Sequence, residues 1–325
     1  MFGSKKNRVV SLELNDFLIR VFIVKDGDVA NATIYEYPLP AGLVVDETIQ
    51  DELAFFELLK ELAKDWRIAK HDVRFFAQDH SVMMRAFEHP KDIQSNKLKG
   101  YVEMELGRTL HLPFDEPLID VYDPKADDGE AIIFAAPSEE AFKLMQLFVD
   151  VHLHPTVLDV RTLSNIRFLD HASFFSSGKT YLIADWSIDA VSVCIYSKGN
   201  VDFLRYQPTE TSSRNWRYES DGKERNVFLF DGLMEEYQQS LANQVSEIER
   251  ILNFYRFSLH KGEKSVDELV MMGDHPEMDF IAAQMRSAID ETPIAIIDDV
   301  FVKKKYPQFE AKHAALIGLA LKGDA

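Results

Sequence analysis

Val9-Val10-Ser11-Leu12-Glu13-Leu14-Asn15-Asp16-Phe17-Leu18-Ile19-Arg20-Val21-Phe22-Ile23-Val24 reads as an apolar strand, a short polar turn that begins near a carboxylate, and a second strand rich in β-branched residues. That alternation of apolar run and turn is a hairpin signal. The same cassette returns as Tyr181-Leu182-Ile183-Ala184-Asp185-Trp186-Ser187-Ile188-Asp189-Ala190-Val191-Ser192-Val193-Cys194-Ile195-Tyr196. Lys25-Asp26-Gly27-Asp28 and Ser197-Lys198-Gly199-Asn200 then turn the chain again at matching offsets, each with a glycine suited to a tight turn. Two such units in one chain of 325 residues predict an α/β protein with two related lobes facing a cleft.

Outward from the first hairpin, residues 32–37 extend it as a third strand, ended by Pro38-Leu39-Pro40-Ala41-Gly42. Ile49, Leu53, Phe56, Ala63 and Trp66 recur at helical spacing and predict an amphipathic helix over 47–66. Strands are expected at 73–78 and 82–87, a helix over 96–110, and a strand pair at 119–122 and 131–135 around an acidic turn. Ser138-Glu139-Glu140 starts a helix, with acids in its first turn. A strand at 157–160 and a further helix to about 170 follow, and residues 172–179 form the expected lobe boundary. Beyond the second hairpin, 207–226 is polar and reads as an exposed loop, and Lys303-Lys304-Lys305 as a solvated one. A long amphipathic helix over 233–259, a short strand breaking at Gly273, a helix over 279–289 and an apolar closing helix at 311–321 complete the chain.

Composition narrows the function. No apolar run is long enough to span a bilayer, and the basic N-terminal residues run into Glu13 too soon for a signal peptide. The single cysteine, Cys194, excludes an internal disulfide and agrees with an intracellular setting. A net charge of −18 argues against a nucleic-acid partner, because phosphate neutralisation needs clustered Lys and Arg. Ten histidines invite a metal reading, but neither the His152/His154 pair nor the spaced His71, His80 and His89 supplies a convergent ligand set. Neither a nucleophile-elbow nor a dinucleotide-binding glycine motif is present. The tandem pair Phe75-Phe76 must send one ring to each face of a strand, so one of them is a candidate to line a groove, with burial between helices as the plainer reading.

The order of elements resembles the actin-like (ribonuclease H-like) ATPase fold, and within it the PilM family of type IV pilus assembly proteins. The stretches that carry this are 11–21, Leu39-Pro40-Ala41-Gly42-Leu43-Val44-Val45-Asp46, 100–122, Ala135-Ala136-Pro137, 155–161 and Ala314-Ala315-Leu316-Ile317-Gly318-Leu319-Ala320-Leu321. The resemblance implies a first lobe at 1–170 containing an inserted FtsA-type subdomain at 38–136, a second lobe at 171–310, and a closing segment at 311–325 returning to the first lobe. It implies a cytoplasmic protein held at the inner face of the membrane. Its partner would be a PilN-like inner-membrane protein, whose N-terminal tail docks in a groove between first-lobe subdomains. Contacts to the assembly ATPase or platform protein are also implied.

The resemblance further implies a site for ATP with Mg²⁺. Its candidates are Glu13, Asn15 and Asp16 at the first hairpin tip, Asp185 and Ser187 at the second, Gly273 in the adenosine position, and Gly318 in the closing helix. Phosphate cradles need small residues at hairpin tips so that backbone N–H groups can approach. Here Asn15 and Ser187 stand where the family pattern has glycine, the adenosine motif keeps one glycine, and the lid is shortened. Asn15 is expected to restore the turn by adopting positive φ, and Asp16 to set a carboxylate where the γ-phosphate would lie. The expectation is a pseudo-ATPase that binds ATP weakly or not at all. The same acids are also consistent with ordinary turn residues, and the two glycines with close backbone contacts. The functional reading is a scaffold that recognises a membrane partner. The alternatives are an active Mg-ATP-dependent ATPase or phosphotransferase on the same fold, and a divisome-type membrane tether. The tether calls for an amphipathic helix beyond the core, which is not expected after residue 321.

Overall fold

The computed structural model describes residues 8–125, 128–209, 215–220 and 226–323. The first hairpin forms as β1 (Arg8–Leu14) and β2 (Leu18–Lys25), followed by β3 (Asp28–Pro38). A two-residue ribbon, β4 (Val44–Val45) with β5 (Thr48–Ile49), leads into α1 (Glu52–Asp65). The helix starts later than the apolar periodicity predicts because Asp51 caps it, accepting from the Ala54 N–H. Next come β6 (Asp72–Phe76), β7 (Met83–Glu88), α2 (Leu98–Glu105), β8 (Pro117–Tyr122) and β9 (Glu130–Pro137). α3 (Ser138–Asp150), β10 (His154–Asp159) and α4 (Arg161–His171) follow. The predicted helix over 96–110 is thus reduced to α2, which ends where Leu106 leaves helical ψ.

The second hairpin is β11 (Thr180–Trp186) with β12 (Ala190–Ser197), then β13 (Asn200–Pro208). The expected loop over 207–226 contains β14 (Trp216–Ser220), paired antiparallel with β15 (Asn226–Phe230). Trp216 and Tyr218 are buried there, so this stretch packs onto the second lobe despite its polar composition; residues 210–214 and 221–225 of that expectation lie outside the described ones. α5 (Met234–Asn253) continues as a π-helical turn, Phe254–Leu259, and is followed by β16 (Glu268–Gly273), α6 (Met278–Ala288) and β17 (Ile294–Ile296). α7 (Asp299–Lys305) places the lysine run in the last turn of a helix rather than in a loop, where cations suit the helix dipole. α8 (Ala314–Ala320) ends the described fold.

The duplication is visible in the strand order. One sheet runs β3-β2-β1-β6-β10 and the other β13-β12-β11-β16-β17. In each, an antiparallel meander is extended by two parallel strands. Period-two alternation sorts β11: Tyr181 and Ile183 face one cluster, Leu182, Ala184 and Trp186 the other. Five layers result. Helices α1 and α3 cover the outer face of the first sheet, α4 and α8 lie between the sheets, and α5 and α6 cover the outer face of the second. A third, small sheet, β7-β9-β8, has its own core of Phe87, Leu98, Val102, Leu110 and Ile133. The small sheet spans 83–137, with Ile132 and Phe134 reaching into the core between the large sheets, whereas α1 and β6 build onto the first large sheet.

Candidate functional site

Two concave regions near the first sheet bear on function. One is the cleft between the hairpin tips. The register of β1 with β2 sets Glu13 directly opposite Arg20, and both are buried. Arg20 donates to Glu13 at 2.8 Å and to Glu36 on β3 at 2.5 Å, and pairs with Asp274 just after β16 at 3.5 Å. Arg161, the first residue of α4, reaches the other oxygen of Glu13 at 2.5 Å and Asp185 at the end of β11 at 2.9 Å. Asn165, one turn along α4, donates to the same Asp185 oxygen at 2.7 Å. The carboxylates of the two duplicated hairpins are thus joined through one guanidinium.

The predicted turn residues are satisfied within their own turns. Asn15 does not adopt positive φ; instead its side-chain oxygen accepts from the N–H groups of Phe17 and Leu18, both at 3.0 Å, an Asx turn. Ser187 donates its hydroxyl to Asp189 at 2.7 Å. Asp16 does not face the cleft. Its two oxygens accept from the backbone N–H groups of Asp46 at 2.9 Å and Glu47 at 2.8 Å, holding both residues at positive φ, 50° and 56°. Gly273 has φ of +119°, and a Cβ there would lie 2.1 Å from the Trp186 carbonyl oxygen. A Cβ on Gly318 would lie 1.9 Å from the Ser164 carbonyl oxygen. Both glycines therefore permit close backbone approach, Gly273 between strands and Gly318 between α8 and α4.

The remaining space is small, with a cavity of about 70 Å³ against the roughly 300–1,000 Å³ of ordinary small-molecule sites. Glu13, Glu47, Asp79, Asp189 and Asp274 line it, with Arg161 as the cation. Burial alone would raise the Glu13 carboxyl, but Arg161 and Arg20 outweigh it and hold Glu13 below the ordinary glutamate range. Asp79, by contrast, is pushed well up by burial and by Glu47, and Asp274 is raised mainly by burial. Burial also raises Asp16 to about 6, against the two backbone donors that favour its charged form. Glu36 goes the other way: Arg20 and Lys312 overcome its burial and hold it at about 2.

On the side where the resemblance places adenine, His275 is buried. Its ring lies parallel to Tyr237 of α5 at 5.7 Å and exchanges a 2.6 Å hydrogen bond with the Tyr237 hydroxyl. Trp216 from β14 packs edge-on to Tyr237 at 5.2 Å.

Both hairpin carboxylates are already bonded to Arg161, and the turn side chains are committed to their own loops. Each further like charge at about 4 Å costs about 4 kcal/mol at an effective dielectric of 20. No group of three His, Cys, Asp or Glu among the described residues is placed to hold a metal.

The other region is a groove of about 570 Å³. Its walls are β8 with α2 on one side and β10 with α3 on the other; Leu118, Leu106, Phe142, Met145 and Val157 line it. Both β8 and β10 are terminal strands of their sheets, so the groove runs between two free edges. Phe142 stands half-exposed on its rim. Phe75 touches the floor but is buried edge-on against Phe148 at 5.2 Å, as the plainer reading of the Phe pair expected. Phe76 faces the cleft instead, beneath the Arg161 guanidinium at 5.9 Å. Arg20, Arg161 and the groove edges fall within the family-like stretches 11–21, 100–122 and 155–161, which assign them no individual role. A charged residue inside the apolar run Leu18-Ile19-Arg20-Val21-Phe22-Ile23 was the available signal for Arg20.

The layered architecture with duplicated hairpins defines an actin-like ATPase fold. The profile of the family described as type IV pilus assembly protein PilM matches residues 22–323, and the chain belongs to that family. Among solved structures it is similar to a PilM-PilN type IV pilus biogenesis complex, with a TM-score of 0.73 and 15% identity over 98% of this chain and 99% of the other. It also resembles a Bacteroides thetaiotaomicron protein of actin-like ATPase fold and unknown function, with a TM-score of 0.52 and 10% identity over 98% and 97% of the two chains. MreB5 of Spiroplasma citri bound to ADP aligns with a TM-score of 0.50 and 12% identity over 96% and 94%. No curated protein matches the chain by sequence. No described helix is long and apolar enough to cross a membrane.

Proposed function

We propose that this protein is a scaffold of a type IV pilus assembly machine that holds the N-terminal tail of a PilN-like inner-membrane protein in the β8/β10 groove. The observation that carries this is a wide apolar groove bounded by two unpaired strand edges. Such edges offer free N–H and C=O groups to an incoming chain. An extended tail adding as a strand takes its affinity from those groups and its specificity from side chains entering pockets such as that beside Phe142. Pro117 and Pro155, at or near the N-terminal ends of the two edges, limit unwanted pairing.

In this reading the protein sits in the cytoplasm against the inner membrane through its partner, and the nucleotide site of its fold is degenerate. The lobes are 1–170 and 171–310, with 311–325 returning to the first; α8 packing on α4, β1 and β2 supports that return. The similarity to an ADP-bound MreB5 speaks to common architecture, while the Arg161 pairing speaks against retained use of nucleotide. The test is calorimetric titration of synthetic PilN-like tails into the wild-type protein and into Phe142→Asp. Saturable binding that Phe142→Asp weakens at least tenfold is expected; equal binding by both proteins would move the partner elsewhere.

A further inference from the structure

In an actin-like cleft a hydrated divalent cation is expected near the carboxylates of the two hairpins, since magnesium is usually held by one or two carboxylates plus waters and phosphates. Here the corresponding carboxylates are Glu13 and Asp185, on the equivalent first strands of the two sheets. Between them lies the Arg161 side chain, held from both sides at 2.5 and 2.9 Å and steadied by stacking on Phe76.

We propose that the Arg161 guanidinium is a built-in substitute for the divalent cation, so that the cleft is closed by the chain's own charge and responds to neither magnesium nor ATP. This rests on the reading of the cleft as degenerate and adds the residue that makes it so. Three features support it beyond the contacts themselves. Arg161 comes from α4, the helix between the sheets, so the bridge spans the lobes rather than one turn. Arg20 repeats the arrangement one layer over, joining Glu13 and Glu36 of the first lobe to Asp274 of the second. Glu36 in turn accepts from the Tyr218 hydroxyl and, at 3.3 Å, from Asn226, which ties β3 to the β14/β15 hairpin. An arginine suits this place because its planar fork serves two carboxylates at once, a geometry that lysine does not reproduce.

The consequence is specific. Removal of Arg161 leaves two facing carboxylates with no cation between them, which recreates a divalent site. The experiment follows Mn²⁺ by electron paramagnetic resonance and by thermal melting in wild type, Arg161→Ala, Arg161→Gln and the double variant Arg161→Ala with Asp185→Asn. Wild type is expected to show no saturable Mn²⁺ binding and no rise in melting temperature with either Mn²⁺ or Mg-ATP. Arg161→Ala and Arg161→Gln are expected to melt lower in chelator, to recover with Mn²⁺ and to bind it at least tenfold more tightly than wild type. The double variant is expected to lose that gain. Saturable Mn²⁺ or Mg-ATP binding by wild type overturns the proposal without any variant being needed. A folded Arg161→Gln, verified by circular dichroism, that gains no Mn²⁺ affinity overturns it too. Tail binding, measured on the same samples, is independent of these outcomes and separates failure of the cation substitute from failure of the groove reading.

Discussion

The cleft and the groove, which meet at Phe75 and Ala77, handle their polar groups in opposite ways. In the cleft, charges and turn donors find partners within the chain: Arg20 and Arg161 serve Glu13, Glu36, Asp185 and Asp274, while Asn15 and Ser187 close their own loops. In the groove of about 570 Å³, two strand edges lie without a strand between them among the described residues. A region whose hydrogen-bonding capacity is consumed internally has little to offer a ligand, whereas one that leaves backbone groups unpaired retains affinity for a partner. Under the proposed function, the difference assigns structural rigidity to the cleft and recognition to the groove.

The largest expected effect breaks the cleft side of this contrast. Arg20 is fully buried among three carboxylates, and removing one member of a buried ion-pair network typically costs about 3–5 kcal/mol. Arg20→Ala should therefore lower the free energy of unfolding in urea by that amount. A loss under about 1 kcal/mol, the scale of exposed pairs, would mean that the network is dispensable.

Gly273→Ala comes next. It combines positive-φ strain, about 1–3 kcal/mol, with a backbone clash at the Trp186 carbonyl of the overpacking kind, about 1–3 kcal/mol. A melting shift of several degrees without change in tail affinity is expected, which would confirm that this glycine serves strand packing. Phe142→Asp sharpens the groove side. It should weaken tail binding at least tenfold, about 1.4 kcal/mol, and leave the melting temperature unchanged, because this residue is half-exposed.

The smallest effect is in pH dependence. The Asp16 carboxyl is raised by burial from 3.8 to about 6, so between those values the folded state holds more protons than the unfolded one. Its contribution to stability therefore falls as pH rises from about 4 to 6. Glu13 and Glu36 have the opposite sign: their pairing stabilises above the ordinary glutamate range and is lost as pH falls below it, for Glu36 toward about 2. Asp16→Asn should flatten the decline between pH 4 and 6 while leaving the loss at lower pH in place. An unchanged melting profile would show that the two backbone donors offset the burial of Asp16 completely.

Much of this architecture was legible in the sequence because hydrophobic periodicity reports burial. Both hairpins, the long helix ending near Leu259 and the closing helix follow from where Val, Ile and Leu recur. The β14/β15 hairpin was hidden because Arg217, Glu219 and flanking polar residues dilute the alternation of Trp216 and Tyr218, even though those two rings are buried. β17 is three residues long, too short for a period to register. At the site, the positions of Glu13 and Asp185 could be read from the repeated cassette, but the direction of Asp16 could not, since it depends on a turn thirty residues away. Arg161 closes the family-like stretch 155–161, which assigns it no role. It is one arginine at the start of a helix, and only the folding of α4 between the sheets brings it to both carboxylates.

The central claim, that recognition resides in the groove and not in the cleft, is tested most directly by titrating one PilN-like tail peptide into the wild-type protein in the presence of Mg-ATP and again in chelator without nucleotide. The account predicts saturable binding with the same dissociation constant in both. Binding that appears or tightens tenfold only with Mg-ATP would contradict it, because a cleft closed by Arg161 has no means of sensing nucleotide.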